Sequence, residues 1–214
     1  VRLFRIKEVF FDVHRYYVRH PLFFCADMLV LLQYFWKSPY RCIRQYDEQH
    51  PFKEIGPYGE TSFGTFEAIL TAFSIPKELG IAELGSGRGR LCFWLRMVRN
   101  QRYVLGVEAF PLFVHRAQRV QRWFKVHDLE FLSGNWNDAA FNGIDVIYIY
   151  GSALEDGEIK KLAQRLAMLP SGTKIITISY WLDEYFEGHF RREMKTPVTF
   201  VWGETEAYLQ TVET

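Results

Sequence analysis

The segment Glu83-Leu84-Gly85-Ser86-Gly87-Arg88-Gly89 decides the fold. It follows a short apolar run at 81–84 and leads into a helical pattern, so it reads as the turn from a buried strand into a helix. Glycines at 85, 87 and 89 free the backbone for positive φ and let a ligand lie against bare main chain. Outward from this turn, 103–107, 129–132, 145–150 and 174–180 are further apolar runs of strand length. Helices separate them. One carries Phe113, Ala117, Val120 and Phe124 on a single face, with Pro111 in its first turn, where a missing N–H costs nothing. Another carries Ile159, Leu162, Ala163, Leu166 and Leu169, opens on Glu155, Asp156 and Glu158, and stops at Pro170-Ser171-Gly172. This alternation predicts a parallel sheet covered by helices on both faces. The end differs: 199–202 and 206–212 read as strands joined by Gly203-Glu204-Thr205, which predicts a closing antiparallel hairpin.

Upstream, residues 21–36 (PLFFCADMLVLLQYFW) are apolar except for Asp27 and Gln33. Sixteen residues fall short of the ~20 that a spanning helix needs. Arg15, Arg19 and His20 precede the stretch and Lys37, Arg41 and Arg44 follow it, so it reads either as a buried or dimer-packing helix or as one lying on an anionic membrane surface. A second helix over 39–49 leads to a loop marked by Pro51, Gly56, Pro57 and Gly59. The chain thus divides into an N-terminal helical appendage, 1–50, and a main domain, 51–214. Its 214 residues, 49% hydrophobic and 17% aromatic, exclude a disordered chain or a coiled coil. Cys25, Cys42 and Cys92 form no metal or disulfide spacing and read as buried thiols. That pattern fits the cytoplasm or another reducing compartment, with peripheral membrane association and secretion into a host cell left open. No metal site is expected. The net charge of +1 conceals an asymmetry, because residues 88–125 hold nine Lys or Arg against the single acid Glu108.

The third glycine of the turn comes one residue too early for a dinucleotide fingerprint, and an acid stands two positions before the first. The pattern E-x-G-x-G-x-G resembles the first motif of class I S-adenosylmethionine-dependent methyltransferases. Glu83 suits the ammonium end of a zwitterionic amino acid and would repel a pyrophosphate. Glu108, at the end of the second strand, can accept hydrogen bonds from both ribose hydroxyls. Tyr58-Gly59-Glu60-Thr61-Ser62-Phe63 opens a helix with an apolar stripe at Phe63, Phe66, Leu70 and Phe73, and Thr61 or Ser62 is its N-cap. YGETSF followed by ELGSGRG and then GVE resembles the non-SET histone lysine methyltransferase family, the disruptor-of-telomeric-silencing type, and its bacterial relatives. The resemblance covers about residues 56–212. It implies a seven-stranded, mostly parallel Rossmann-like α/β sheet, S-adenosylmethionine as cofactor, and a loop of Tyr58, Gly59, Glu60 and Thr61 over the methionine end. It also places Ser86 in the cofactor turn and Asn135 and Trp136 at the adenine, where Asn135 stands in for the family's acid.

After the fourth strand the histone enzymes carry an asparagine-rich segment, whereas this chain reads Tyr148-Ile149-Tyr150-Gly151-Ser152. There, and in its N-terminal apolar helix, it is similar to the family that methylates a lysine of the ATP synthase c-subunit. Both resemblances imply a protein lysine acceptor. Methyl transfer from a sulfonium is an in-line displacement that needs orientation and dehydration rather than an acid–base pair. Tyr150, Tyr180 and Trp202, at strand ends or in the hairpin, are the candidates for an aromatic channel that favours the neutral amine. A small-molecule methyltransferase and a non-catalytic cofactor-binding module are the alternatives. Finally, Arg96 and Arg99 on one helix and His115, Arg119 and Arg122 on the next are expected to form a basic face for nucleic acid or anionic lipid. The oligomeric state is not legible.

Overall fold

The computed structural model describes residues 12–49, 59–151 and 154–213. Its centre is one seven-stranded sheet: β1 (Gly80–Leu84), β2 (Tyr103–Glu108), β3 (Leu129–Ser133), β4 (Val146–Ile149), β5 (Lys174–Ile178), β6 (Phe190–Phe200) and β7 (Gly203–Val212). The order is β3-β2-β1-β4-β5-β7-β6, with β7 antiparallel to both β5 and β6 and every other pairing parallel. β1 is buried along its whole length, as a strand covered on both faces must be. The order reverses between β1 and β4, so the carboxyl ends of these two strands open a crevice where an α/β sheet binds its ligand.

Among the described residues six α-helices accompany the sheet: α1 (Pro21–Leu32), α2 (Pro39–Gln49), α3 (Phe63–Ala72), α4 (Arg90–Met97), α5 (Pro111–Trp123) and α6 (Asp156–Leu166). One face holds an aromatic core in which α3, α4 and α5 meet the sheet, and Phe63, Phe66, Leu70 and Phe73 all lie in it, the stripe expected of α3. The other face is covered chiefly by Ile159, Leu162, Ala163 and Leu166 of α6, which begins with a capping box between Glu155 and Glu158. The N-terminal helices join the first core rather than standing off it. Phe23, Ala26 and Val30 of α1 and Cys42 and Ile43 of α2 are buried in the same cluster as Trp94 and Phe113.

Four expectations are corrected. The apolar helix ends at Leu32 rather than Trp36. Cys25 is exposed, because it falls on the outward side of α1, whereas Cys42 and Cys92 are buried. β6 begins at Phe190, nine residues before the expected start at Thr199, and the hairpin turns at Val201-Trp202, with Gly203 already opening β7. The missed stretch Arg191–Thr196 is mostly exposed, so this sheet edge carries no apolar alternation to read; its Arg, Lys and Pro197 are instead edge-strand devices against pairing with another chain. β5 ends at Ile178 rather than continuing to Tyr180, because Ser179 takes φ 77° and swings the chain away from the sheet.

Candidate active site

The glycine turn has the backbone expected of it. Gly85, Gly87 and Gly89 take φ of 78°, 54° and 79°. The Gly85 and Ser86 amides donate to the Val107 carbonyl at 2.8 and 3.0 Å, which ties the turn to β2. A Cβ on Gly89 would come within 2.6 Å of the Phe131 ring, so that glycine is required by packing, whereas a Cβ on Gly85 would meet nothing within 4 Å. Gly85 therefore faces open space, and Ser86 beside it has a buried hydroxyl without a hydrogen-bond partner.

Three carboxylates gather at this turn. Glu83 lies on the β1 face that looks into the aromatic core and accepts a hydrogen bond from Cys92 Sγ at 3.0 Å. Burial pushes its carboxyl up to about 8; the Cys92 bond opposes the rise, and the nearby charges of Glu60 and Glu108 add to it. The same pair raises the Cys92 thiol, first by burial and then by the Glu83 charge. Glu108 accepts from the Gly87 amide through Oε2 at 2.7 Å and from the Phe110 amide through Oε1 at 2.8 Å. Burial raises its pKa, and these backbone bonds work against that rise. Each of its oxygens keeps a lone pair for a further donor.

Glu60 closes over the turn from the loop before α3. Its two oxygens accept from Arg88 Nε at 2.7 Å and Arg88 Nη2 at 2.6 Å, and Arg90 Nη1 stands 3.5 Å away. Beside it, the Thr61 and Tyr148 hydroxyls share a buried hydrogen bond of 2.6 Å. Ser62, not Thr61, is the N-cap of α3, accepting from the Thr65 amide at 3.2 Å. Gly59 lies against Tyr150, whose ring would be 2.6 Å from a Cβ there. Tyr58 falls outside the described residues, as does Ser152.

Around the rim, Asn135 is exposed and caps a short helical turn by accepting from the Asn137 amide at 3.1 Å. Trp136 follows it, half-buried, with a buried indole N–H that has no partner. Trp202 donates from Nε1 to the Tyr150 hydroxyl at 2.5 Å, and the rings of Tyr150, Phe200 and Trp202 form a continuous aromatic wall. Tyr180 is not part of that wall. Its ring lies in the core cluster on the opposite face of the sheet, and its buried hydroxyl has no partner; the left-handed turn at Ser179 puts it there.

Two sets of residues escaped the sequence reading. Tyr148 read only as a strand residue, although a tyrosine inside a buried strand needs a partner for its hydroxyl. The other set joins the N-terminal helices to the site: Asp27, fully buried, takes Arg90 Nε at 2.6 Å and Nη2 at 2.8 Å, and Tyr17 donates to it at 2.6 Å. Arg90 is the first residue of α4, directly after the glycine turn. The lone acid in an apolar helix was the available signal. The expected basic face is partly consumed by the fold: Arg96 is bonded to the His127 carbonyl, Asn100 and Asp128, Arg99 to Gln101 and the Ile75 carbonyl, and Arg119 to Gln33. His115 and Arg122 are exposed.

No known protein family matches the chain by sequence, and no curated protein does. Solved structures are similar in fold. An RNA methyltransferase from Salinibacter ruber, in complex with S-adenosyl-L-homocysteine, aligns with a TM-score of 0.58 at 20% identity, over 72% of this chain and 94% of that one. Magnesium protoporphyrin IX methyltransferase from Synechocystis PCC 6803, with bound S-adenosylmethionine, gives 0.57 at 12%, over 85% and 94%. A mutant of MtNAS in complex with S-adenosylmethionine gives 0.57 at 14%, over 94% and 77%. The chain has the Rossmann-like α/β methyltransferase fold, with its terminal antiparallel hairpin.

Proposed function

We propose that this protein is an S-adenosylmethionine-dependent methyltransferase whose acceptor is an amine, a protein lysine in particular. The observation that carries the cofactor reading is the convergence of Glu60, Glu83 and Glu108 on a glycine turn that is open at Gly85. Glu83 and Glu108 beside bare backbone suit a ligand with an ammonium and a sulfonium and disfavour a nucleotide phosphate, while Glu60 is held by Arg88 and Arg90. The residues present fit the group. Glu83, Gly85 and Ser86 would hold the amino-acid end with Glu60 and Thr61 above it, Glu108 the ribose, and Asn135 with Trp136 the adenine. The unpartnered Ser86 hydroxyl and Trp136 N–H are the kind of buried polar atoms that a ligand satisfies.

The cofactor supplies a methyl group on a positively charged sulfur. What remains for the chain is to orient the acceptor, exclude water and keep the amine neutral. The aromatic wall of Tyr150, Phe200 and Trp202 serves the last two ends, since a lysine with a pKa near ~10.4 in water gives up its proton more readily in an apolar site. The Tyr150 hydroxyl oxygen, already accepting from Trp202, keeps a second lone pair that can accept an N–H of the neutral amine and leave the nitrogen lone pair free to take the methyl group. Gly59 lets the cofactor loop close directly on this ring.

Incubating the protein with labelled S-adenosylmethionine and with core histones, an ATP synthase membrane fraction, RNA and porphyrin acceptors tests the reading. Label on lysine, located by mass spectrometry and lost with Tyr150→Ala, is the expected result. Label on RNA or a porphyrin alone replaces the acceptor and keeps the cofactor. Absence of S-adenosylmethionine binding overturns both.

A further inference from the structure

Helix α1 is apolar all round. Phe23, Ala26 and Val30 face the core, and the residues that turn away from it are Leu22, Phe24, Cys25 and Leu32, all exposed. The one charge in the helix, Asp27, points inward to Arg90. A helix that packs on a protein in water normally shows a polar outer face. Here the exposure continues past the helix end, where Phe35 is 73% and Trp36 89% exposed. We infer that this outward face is a membrane-docking surface, which seats α1 in the headgroup region of an anionic bilayer.

Three observations commit the face to that partner. The first is length: twelve residues span ~18 Å against a hydrocarbon core of ~30 Å, so the helix lies along a bilayer rather than across it. No helix among the described residues is long and apolar enough to cross. The second is the placement of indoles. Trp123 of α5 is 60% exposed, and Arg119 links it to the end of α1 by lying over its ring, 5.5 Å from the centroid, while donating to Gln33 at 2.6 Å. Trp36 and Trp123 thus belong to one end of the surface, and indoles favour the boundary between water and acyl chains. The third is charge. Exposed Arg19 precedes the helix, exposed Lys37 and Arg41 follow it, and exposed Arg122 and Lys125 flank Trp123. A basic rim around an apolar strip complements anionic lipid, and the same rim would repel itself in a pair of copies. Duplex DNA would engage the rim and leave Leu22, Leu32, Phe35 and Trp36 in water.

This inference is independent of the cofactor reading, and its test makes no use of the cofactor. The full chain is sedimented with vesicles of phosphatidylcholine alone and of phosphatidylcholine with 30% phosphatidylglycerol (on the order of a natural anionic content), at low and high salt. The wild type is expected to bind the anionic vesicles at least tenfold better than the neutral ones. Raising salt weakens that preference, and brominated acyl chains quench its tryptophan fluorescence. Leu32→Ser/Trp36→Ser and Lys37→Glu/Arg41→Glu, all at exposed positions, each reduce binding about tenfold with unchanged circular dichroism. The proposal is overturned if the wild type binds neither vesicle, or if the Leu32/Trp36 variant binds as wild type does. It is equally overturned if the protein dimerises through this face, so that Leu32→Ser/Trp36→Ser yields monomers, or if duplex DNA binds more tightly than vesicles.

Discussion

Glu83 carries a cost that only a ligand can recover. With its carboxyl pushed up to about 8, the folded protein holds a proton there that the unfolded chain, near ~4.3, has already released. The native state binds more protons across that window, so stability falls as pH rises from about 4.3 to 8, by up to ~1.4 kcal/mol per pH unit. Glu83→Gln should flatten this slope in urea unfolding at pH 5, 6.5 and 8. A cationic ligand needs the carboxylate, so wild-type affinity for S-adenosylmethionine should rise with pH by up to about tenfold per unit below pH 8, with a proton released on binding, and the variant should show neither. Thr61 and Ser62 differ in the same concrete way. Ser62→Ala removes a helix cap, at about 1 kcal/mol, and should leave cofactor binding unchanged. Thr61→Val strands the buried Tyr148 hydroxyl, at about 1–3 kcal/mol, and should also weaken binding, because it loosens the loop that carries Glu60. The turn, Glu83 and Glu108 were legible because they lie at strand ends, and Glu60 was legible through the YGETSF string that contains it. Tyr148 was not, because its partner Thr61 lies 87 residues away and a hydroxyl pair leaves no periodic trace.

Elements were legible in proportion to how one-sidedly they are buried. β1, β2 and β4 are almost wholly buried and read as apolar runs; α3, α5 and α6 each bury one stripe and read at helical spacing. β6 is a sheet edge with charged side chains, so most of it was invisible. Tyr180 was misplaced by a single residue, since the positive φ of Ser179, which ends β5, has no signal in a serine. The N-terminal segment was read as an appendage, and it reaches the site through Asp27 and Tyr17 at Arg90 and through Tyr34 beneath Arg88. Asp27 joins α1 to the start of α4, and Arg90 in turn reaches Glu60. Asp27→Leu should cost about 3 kcal/mol, the lower end for a broken buried pair, because Arg90 keeps some water and Glu60. Adding Arg90→Met should restore most of that stability in chemical unfolding and reduce cofactor affinity below that of Asp27→Leu alone, since only the double variant takes the Arg90 neighbour from Glu60.

At the scale of the whole molecule the site is a consequence of strand order. The reversal between β1 and β4 places the glycine turn, Glu108, Asn135, Tyr150 and the hairpin's Trp202 at one edge of the sheet, although they span residues 83–202 in sequence. Strand–helix alternation made that edge foreseeable, and the switch point supplies the crevice. The proposed acceptor was less legible, because the aromatic wall on which it rests is assembled from the residue after β4, the end of β6 and the β6–β7 turn. Everything proposed for the acceptor presupposes the cofactor, so the decisive experiment is calorimetric titration of S-adenosylmethionine into the full chain and into Gly85→Val at pH 8. Gly85 faces open space with φ 78°, so a branched side chain there both strains the turn and fills the ligand's place. One-to-one binding by the wild type is expected, with an affinity at least tenfold weaker in a variant that retains its circular dichroism. No binding by the wild type, or equal affinity in the folded variant, would contradict the assignment of the glycine turn to the cofactor.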